Sequence, residues 1–143
     1  MLKVQLLSAG AKAPTVAHPG EDLGYDLYAS ESVTLAAKGN VVVPTGVAIE
    51  CTGRDGKPMG CLLRDRSSLA SKRLAILAGV IDAGYRGEIK VVMENLGDLP
   101  YTIQAGDKIA NMIPVPVLTA EVEVVADLGE SKRKAGGFGS SGR

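Results

Sequence analysis

The sequence predicts an all-β domain, a sandwich or barrel of short strands with one short helix. Apolar residues make up 45% of the chain, yet there are only four Tyr, one Phe and no Trp. The apolar content is therefore mostly Val, Ile, Leu and Ala, and eighteen Gly supply turns. Short apolar segments recur between turn residues about every eight to twelve positions, which is typical of sandwiches and barrels.

In the first half of the chain, short apolar or alternating segments lie between clusters of Gly, Pro, Asn and Asp. Such segments favour strands because β-branched and alternating side chains suit a half-buried sheet. Residues 13–24 hold two Pro and two Gly and predict a loop, and residues 53–57 predict a hairpin turn. The predicted strands cover residues 4–7, 25–29, 32–35, 41–43, 47–51 and 59–64.

The second half begins with the one convincing helical turn, at residues 68–73. Pro114 and Pro116 confine the apolar run 109–117 to a sheet edge or to interrupted pairing, because proline donates no ladder hydrogen bond. The remaining predicted strands cover residues 80–81, 88–94, 101–103 and 122–125.

Composition and charge limit the possible partners. Sixteen basic and sixteen acidic residues cancel, so no overall field attracts nucleic acid or a membrane surface. No run approaches the roughly 18 apolar residues that span a bilayer, and the N-terminus does not resemble a signal peptide. We therefore expect a cytoplasmic protein in which Cys51 and Cys61 are reduced, buried thiols. One domain is expected over residues 1–129, followed by an arm over residues 130–143.

The stretch GVIDAGYRGE, residues 79–88, organises the chain. Its apolar start predicts a strand, and Ala83-Gly84 predicts a tight turn within a hairpin. Asp82 and Tyr85 would then stand on either side of the turn, so that a carboxylate and an aromatic ring lie close together. Taken alone, the pattern favours a plain surface hairpin with a solvated Asp.

The C-terminal stretch ESKRKAGGFGSSGR reads first as a flexible, soluble terminus. However, it holds the only Phe of the protein, Phe138, between two Gly. A segment of this kind offers a stacking face, backbone N–H groups and hydroxyls around an anion. The candidate ligand contacts are Arg133, Phe138, Gly139, Ser140 and Ser141.

Three further stretches carry polar residues in unusual places. Ser67 or Ser68 is expected to cap the short helix, whose N-terminus also suits an anion. Asp26 lies in a predicted strand, where Asp is disfavoured without a specific role. Asn111 interrupts an apolar strand and needs a hydrogen-bond partner if it is buried.

Together these five stretches resemble the five ordered motifs of the homotrimeric dUTP pyrophosphatases (dUTPases). The resemblance implies a distorted jelly-roll (β-clip) subunit and a trimer whose three active sites each draw on all three chains. The implied reaction is hydrolysis of dUTP to dUMP and pyrophosphate by in-line attack of water on the α-phosphorus. The matching motifs are GYDLYA, RSSLA, GVIDAGYRGE, GDKIANMI and GGFGSSG, in that order.

The resemblance also implies a role for each candidate residue. Asp82 corresponds to the carboxylate that activates the water, and Tyr85 to the ring that excludes a ribose 2′-hydroxyl. Asp26 would hold Mg²⁺ through water, and Phe138 would stack on uracil. The implied uracil contacts are Gly79, Val80, Ile81 and Lys90. The implied phosphate contacts are Arg66, Ser67, Ser68, Arg133, Ser140 and Ser141, and Asn111 and Gly139 are further implied substrate contacts.

The chain departs from the motifs at three points. Ser68 stands where the family usually has Gly, and Asn111 where it has the longer Gln. No Asn lies between Arg66 and Asp82, so uracil recognition would rest on backbone groups.

Two alternatives share the fold. A trimeric dCTP deaminase needs a catalytic Glu at the position of Val92, and Glu94 is out of register for that role. A non-catalytic trimeric regulator would not need Asp82.

Overall fold

The computed structural model describes residues 1–131, which form eleven β-strands and one four-residue helix. The strands in chain order are β1 (Leu2–Leu6), β2 (Tyr25–Tyr28), β3 (Val33–Leu35), β4 (Asn40–Pro44), β5 (Val47–Cys51), β6 (Met59–Arg64), β7 (Leu74–Leu77), β8 (Val80–Ile81), β9 (Lys90–Asn95), β10 (Tyr101–Ile103) and β11 (Lys108–Pro116), and helix α1 (Ser67–Ala70) lies between β6 and β7.

The strands form four small antiparallel sheets. The largest has the order β2-β11-β6-β8, and a three-stranded sheet has the order β4-β9-β7. The pairs β1-β5 and β3-β10 complete the set. Neighbours in a sheet are distant in sequence, so loops cross between sheets, and the prediction of an all-β domain is confirmed.

The core lies where the inward faces of these sheets meet. Alternation along β9 buries Val91, Met93 and Asn95, while Val92 and Glu94 are half-buried. The Asn95 amide donates to the carbonyl of Leu99 at 2.8 Å and accepts from the amide of Gly97 at 2.9 Å. This buried polar side chain therefore holds the turn after β9 with satisfied hydrogen bonds.

Cys51 and Cys61 are both buried and free of disulfide, as predicted. Burial, and secondly the nearby Cys51 thiol, raises the pKa of Cys61 to about 11. The Cys61 thiol therefore stays protonated at neutral pH, and an unionised thiol is a poor nucleophile.

The short helix differs from its prediction. It runs over Ser67–Ala70, not over residues 68–73, and the capping position belongs to Arg66. Arg66 is extended, and its carbonyl accepts hydrogen bonds from the amides of Leu69 and Ala70 at 2.9 Å. Both serines therefore lie inside the first turn, no side chain caps the helix, and the prediction that Ser67 or Ser68 caps it was wrong.

The central hairpin was also predicted incorrectly. The tight turn is present, because the Tyr85 amide donates to the Asp82 carbonyl at 3.0 Å. However, β8 pairs with β6, whereas β9 pairs with β4 and β7. The strands on either side of the turn thus belong to different sheets. Strand β7, which the sequence analysis missed, occupies the place beside β9.

Strand β11 lies inside its sheet, not at its edge. It pairs with β6 over its second half and with β2 only as far as Met112. Pro114 and Pro116 follow that point, so they lie where β11 has a neighbour on one side only. As predicted, the two prolines lie where the pairing is interrupted. The interruption is on one side only, and the strand is otherwise central in its sheet.

The strand predicted at residues 122–125 is not formed in the chain by itself, and that prediction was wrong. Residues 117–131 contain no strand. The side chains of Val122 and Val124 are 93% and 95% exposed, because no other strand of the described chain lies beside them. Strands need a pairing partner, and an alternating pattern cannot supply one.

Within residues 1–131, no helix is long and apolar enough to cross a membrane.

Candidate functional site

Five of the predicted site residues line one open cleft of about 610 Å³. This cleft lies where β6 ends and α1 begins, beside β2 and β11. It is lined by Ala17, His18, Asp22, Leu23, Gly24, Asp26, Arg66, Ser67, Ser68, Lys108, Asn111 and Ile113. The structure thus brings together residues from three of the five motifs.

Sheet register explains why these residues meet. Asp26 of β2 lies opposite Asn111 of β11, and Asn111 lies opposite Arg64 of β6. Arg66 follows two residues after Arg64, where the chain leaves the sheet to enter α1. Side chains that are 40 to 85 positions apart in sequence are therefore neighbours across three adjacent strands.

Asp26 is the electrostatic centre of the cleft. Its side chain is 13% exposed, and its two carboxylate oxygens contact different cations. Oδ1 accepts from Nη1 of Arg66, and Oδ2 lies 2.7 Å from Nζ of Lys108. In addition, Arg66 Nε is buried without a hydrogen-bond partner among the described residues. The arrangement concentrates donor groups around one carboxylate.

Lys108 was not singled out from the sequence, although it lies in the fourth motif. The pairing of β11 with β2 is irregular between Lys108 and Ala110: Lys108 faces Tyr28, while Ala110 faces Leu27. Ile109 is the extra residue, which makes this a β-bulge. No feature of the sequence marks the bulge, so the position of the Lys108 side chain is not predictable from alternation.

The loop before β2 closes another side of the cleft. The His18 amide donates to Asp22 Oδ2 at 2.8 Å, and this hydrogen bond lowers the pKa of Asp22. The sequence predicts only a loop here, since proline and glycine indicate a turn and nothing more.

A second group of predicted residues lies in residues 79–88. Ala78 and Gly79 have φ of 61° and 103°, which turns the chain out of β7 and into β8. The Gly79 carbonyl accepts from the Leu63 amide at 2.7 Å, and a Cβ on Gly79 would lie 3.0 Å from the Leu63 carbonyl oxygen. Gly79 is therefore required here both for its φ and for its close approach to β6.

Strand β8 leaves one backbone edge open. It is the last strand of its sheet, and Val80 lies opposite Leu62. Because Gly79 bonds to β6 and peptide groups alternate in direction, the N–H and C=O of Val80 point away from β6. The Val80 side chain is also exposed. This edge offers a donor and an acceptor to a flat polar ligand.

Asp82 and Tyr85 stand at the turn after β8. Asp82 is exposed, and the Tyr85 hydroxyl donates to the Glu88 carbonyl at 3.0 Å. The ring lies against Gly87, where a Cβ would be 2.4 Å from the hydroxyl oxygen. Gly87, which the sequence analysis did not select, thus makes room for the ring.

Residues 88–90 fix the far side of this turn. Glu88 Oε1 accepts from the Gly46 amide at 2.8 Å, and Glu88 Oε2 lies 3.5 Å from Nζ of Lys90. Lys90 is exposed and begins β9, opposite Pro44. The loop that carries Asp82 and Tyr85 is therefore attached to the core at both ends.

The two groups do not join within one chain. Ile81 lies opposite Cys61, whereas Asn111 lies opposite Arg64 on the same strand. Three residues of strand correspond to about 10 Å, and Asp82 lies further in the same direction. The cleft lining, within residues 1–131, includes neither Asp82 nor Tyr85. Arg133, Phe138, Gly139, Ser140 and Ser141 lie outside the described residues.

The oxygen donors of the cleft decide whether Mg²⁺ fits there. Among residues 1–131, no group of three or more His, Cys, Asp and Glu is placed to hold a metal ion. The cleft instead offers Asp26, with Asp22 nearby, and the hydroxyls of Ser67 and Ser68. Mg²⁺ commonly binds one or two carboxylates together with water and substrate phosphates, and this donor set fits that kind of site.

Comparisons with known proteins agree with this geometry. The dUTPase family model matches residues 10–142. The deoxyuridine 5′-triphosphate nucleotidohydrolase of Solibacter usitatus is 44% identical over 99% of this chain and 96% of its own. The enzyme of the same name from Saccharomyces cerevisiae is 40% identical over 99% of this chain and 95% of its own.

Solved structures show the same fold. The Staphylococcus bacteriophage 80alpha dUTPase with dUpNHpp superposes with a TM-score of 0.90 at 31% identity, covering 100% of this chain and 99% of that one. The dUTPase of Staphylococcus aureus phage phi11 superposes with a TM-score of 0.80 at 31% identity, covering 90% of this chain and 97% of that one. The family model spans nearly the whole sequence and the relatives match end to end, so this chain belongs to the dUTPase family.

Proposed function

We propose that this protein hydrolyses dUTP to dUMP and pyrophosphate, in three sites shared between the chains of a homotrimer. The observation that carries the proposal is the cleft, which gathers Asp26, Arg66, Ser67, Ser68 and Asn111 in a chain of the dUTPase family. These residues supply cationic, hydroxyl and amide groups on one surface, and triphosphates are bound by such groups.

In this proposal the cleft holds the phosphates. The guanidinium of Arg66 donates in a planar fork that suits phosphate oxygens. Ser67 and Ser68 are exposed beside it. Asn111 lies across from Asp26 and offers an amide, with a reach one methylene shorter than that of Gln.

The open edge of β8 reads the base. A donor and an acceptor on the Val80 backbone match the alternating polar edge of uracil, with Gly79, Ile81 and Lys90 completing the contacts. The ring of Tyr85 then packs against the sugar and leaves no room for a 2′-hydroxyl. This steric selection needs a ring in a fixed position. The hydrogen bond from the Tyr85 hydroxyl to the Glu88 carbonyl holds the ring in place.

Asp82 provides the base for the chemical step. Its carboxylate takes a proton from a water molecule as the water oxygen bonds to the α-phosphorus. The bond from that phosphorus to the bridging oxygen breaks, and the electron pair leaves with pyrophosphate. Asp82 suits this role because it is exposed directly after β8, which pairs with β6.

Asp26 would hold Mg²⁺ through a water molecule in the cleft. The ion would supply neutralisation of phosphate charge during the reaction. Asp26 contributes the orientation, because its backbone is fixed between β11 and the loop at Thr15.

Two observations support the trimer. Asp82 and the cleft are too far apart along β6 to act on one α-phosphate within one chain, so a complete site needs a second chain. Furthermore, the segment after β11 exposes aliphatic side chains that a neighbouring subunit would cover, namely Leu118, Val122, Val124 and Leu128. In this proposal residues 130–143 form an arm that closes over a neighbouring site, with Phe138 on the base and Arg133, Gly139, Ser140 and Ser141 at the phosphates.

A product assay tests the function. Incubation with dUTP, dCTP and UTP plus Mg²⁺ should yield dUMP and pyrophosphate from dUTP, with little turnover of the other two. Release of ammonia from dCTP would instead indicate a deaminase. Such an enzyme would need another proton-transferring group, because Val92 stands where that reaction requires a Glu. No turnover of any nucleotide, with dUTP bound, would indicate a regulator.

Gly87→Ala is expected to lower the preference for dUTP over UTP in kcat/KM by about tenfold, the usual scale for one steric contact. The new methyl group overlaps the Tyr85 hydroxyl and ring, so the ring must move away from the sugar. Tyr85→Ala should act in the same direction. Gly84→Ala is the matched control, because a Cβ there meets nothing within 4 Å. If Gly87→Ala and Gly84→Ala give the same ratio, the sugar is not read by Tyr85.

A further inference from the structure

We propose that Lys108 is a phosphate-binding residue of the cleft, which exchanges the Asp26 carboxylate for a phosphate oxygen when the triphosphate binds. The inference rests on the proposed function and adds to it a residue outside the roles described above. Four features of the structure carry it: the bulge, the ion pair, the charge of the cleft and the exposure of the side chain.

The bulge is what brings Lys108 into the cleft. Ala110 and Leu27 face each other, and both are fully buried in the core. With regular alternation, Lys108 would share the core face of Ala110. The extra residue, Ile109, reverses the side of Lys108, so that it lies opposite Tyr28 and on the face of β2 that carries Asp26. A bulge beside a site commonly re-aims a side chain in this manner.

The ion pair shows that Lys108 reaches the centre of the cleft. Its Nζ lies 2.7 Å from Asp26 Oδ2, while Arg66 contacts Oδ1 of the same carboxylate. Both carboxylate oxygens of Asp26 are therefore in contact with cations. The water-mediated role proposed for Asp26 requires at least one of these oxygens to become available.

The charges that line the cleft indicate that a bound phosphate would attract the Lys108 ammonium. Arg66 and Lys108 are the permanent cations among the described lining residues, against the carboxylates of Asp22 and Asp26. A triphosphate brings several negative charges to this surface. Because phosphate competes with Asp26 for the same donors, at least one cation should transfer to it.

Lys108 is the partner that can move. Its side chain is 42% exposed, against 22% for Arg66, whose Nε is enclosed. A flexible aliphatic stem lets the ammonium turn while its backbone stays in β11. Because its ammonium end is partly exposed, Lys108 stays in contact with water while it exchanges one anion for another. Arg66 has several N–H groups and can keep its bond to Asp26 while donating to a phosphate.

The test compares affinities for a triphosphate and a monophosphate without metal. We would measure the Kd of dUpNHpp and of dUMP in EDTA by calorimetry for wild type, Lys108→Met and Lys108→Arg. Lys108→Met should weaken dUpNHpp about ten- to a hundredfold, the scale of one charge-assisted hydrogen bond, and leave dUMP close to wild type. Lys108→Arg, which retains a cation on a long stem, should restore most of the loss.

Lys3→Met is the matched control. Lys3 is likewise paired with a carboxylate, Glu50, at 2.6 Å, but it does not line the cleft. The Kd values of the Lys3→Met variant for dUpNHpp and for dUMP should equal those of wild type. Should Lys108→Met fail to fold by circular dichroism, Lys108→Gln replaces it with a polar side chain of similar length and the same expected losses.

An unchanged Kd for dUpNHpp in Lys108→Met, or an equal loss for dUpNHpp and dUMP, would overturn the proposal. The first result would mean that Lys108 touches only Asp26, and the second that it supports the site in general. Failure of the proposed function looks different, because wild type itself would then not hydrolyse dUTP, whatever its Kd for dUpNHpp.

Discussion

Replacing Asp82 with Asn should reduce single-turnover hydrolysis of dUTP by about 10²–10⁴-fold, the usual contribution of a positioned general base. The amide keeps the shape of the carboxylate but cannot accept the proton of the attacking water. Binding of dUpNHpp should stay close to wild type, because Asp82 lies outside the cleft that we propose for the phosphates. Rapid-quench kinetics and calorimetry on the same preparation measure the two quantities.

Asp98→Asn serves as the control for this substitution. Asp98 is also an exposed carboxylate near a strand end, and its contact is with Lys38 at 2.8 Å. Its variant should hydrolyse dUTP at the wild-type rate. If hydrolysis by Asp82→Asn also remained within a few-fold of wild type, another group would be the base.

The second large effect concerns the sharing of sites between chains. Asp82→Asn and Arg66→Gln should each be nearly inactive alone, yet mixed trimers of the two should recover activity. A site that takes Arg66 from one chain and Asp82 from another is intact only when the Asp82→Asn variant supplies Arg66 and the Arg66→Gln variant supplies Asp82. In every trimer that contains both variants, one of the three sites satisfies this, so the activity of the purified mixed trimers should rise to about a third of wild type.

The mixed trimers can be made by joint refolding of equal amounts of the two variants and purified by two affinity tags. Each variant refolded alone provides the baseline. If the mixture is no more active than this baseline although both tags are present in the same trimers, Arg66 and Asp82 act from the same chain. That outcome would contradict the shared site while leaving the assignment of both residues intact.

Much of the fold was predictable because most strands are defined locally. Met59–Arg64 and Tyr101–Ile103 were predicted to the residue, since turn residues bound each apolar segment. Helix α1 began one residue early because Arg66 takes the extended capping conformation, which side-chain capping preferences do not show. The failed strand at residues 122–125 has the right alternation, but strand formation also requires a neighbour, and the described chain provides none.

The site was predictable in its members and less so in its arrangement. Asp26, Arg66, Ser67, Ser68 and Asn111 were selected separately and meet in the cleft. The hairpin prediction placed Asp82 correctly at a tight turn but assumed that β8 and β9 pair with each other. They lie in different sheets because Ala78 and Gly79 redirect the chain, and the sequence alone does not reveal a positive φ at an alanine.

The all-β class and the turn that presents Asp82 and Tyr85 follow from short-range preferences, and the members of the site follow from the five motifs. Which of these residues are neighbours depends on the pairing of distant strands. The pairing of β2 with β11 and β6 places Asp26 beside Asn111 and near Arg66. The bulge at Ile109 turns Lys108 towards Asp26, and the space at Gly87 accepts the Tyr85 ring. The physical reason is that sheet register, bulges and close approaches are set by contacts between distant segments, which no local pattern encodes.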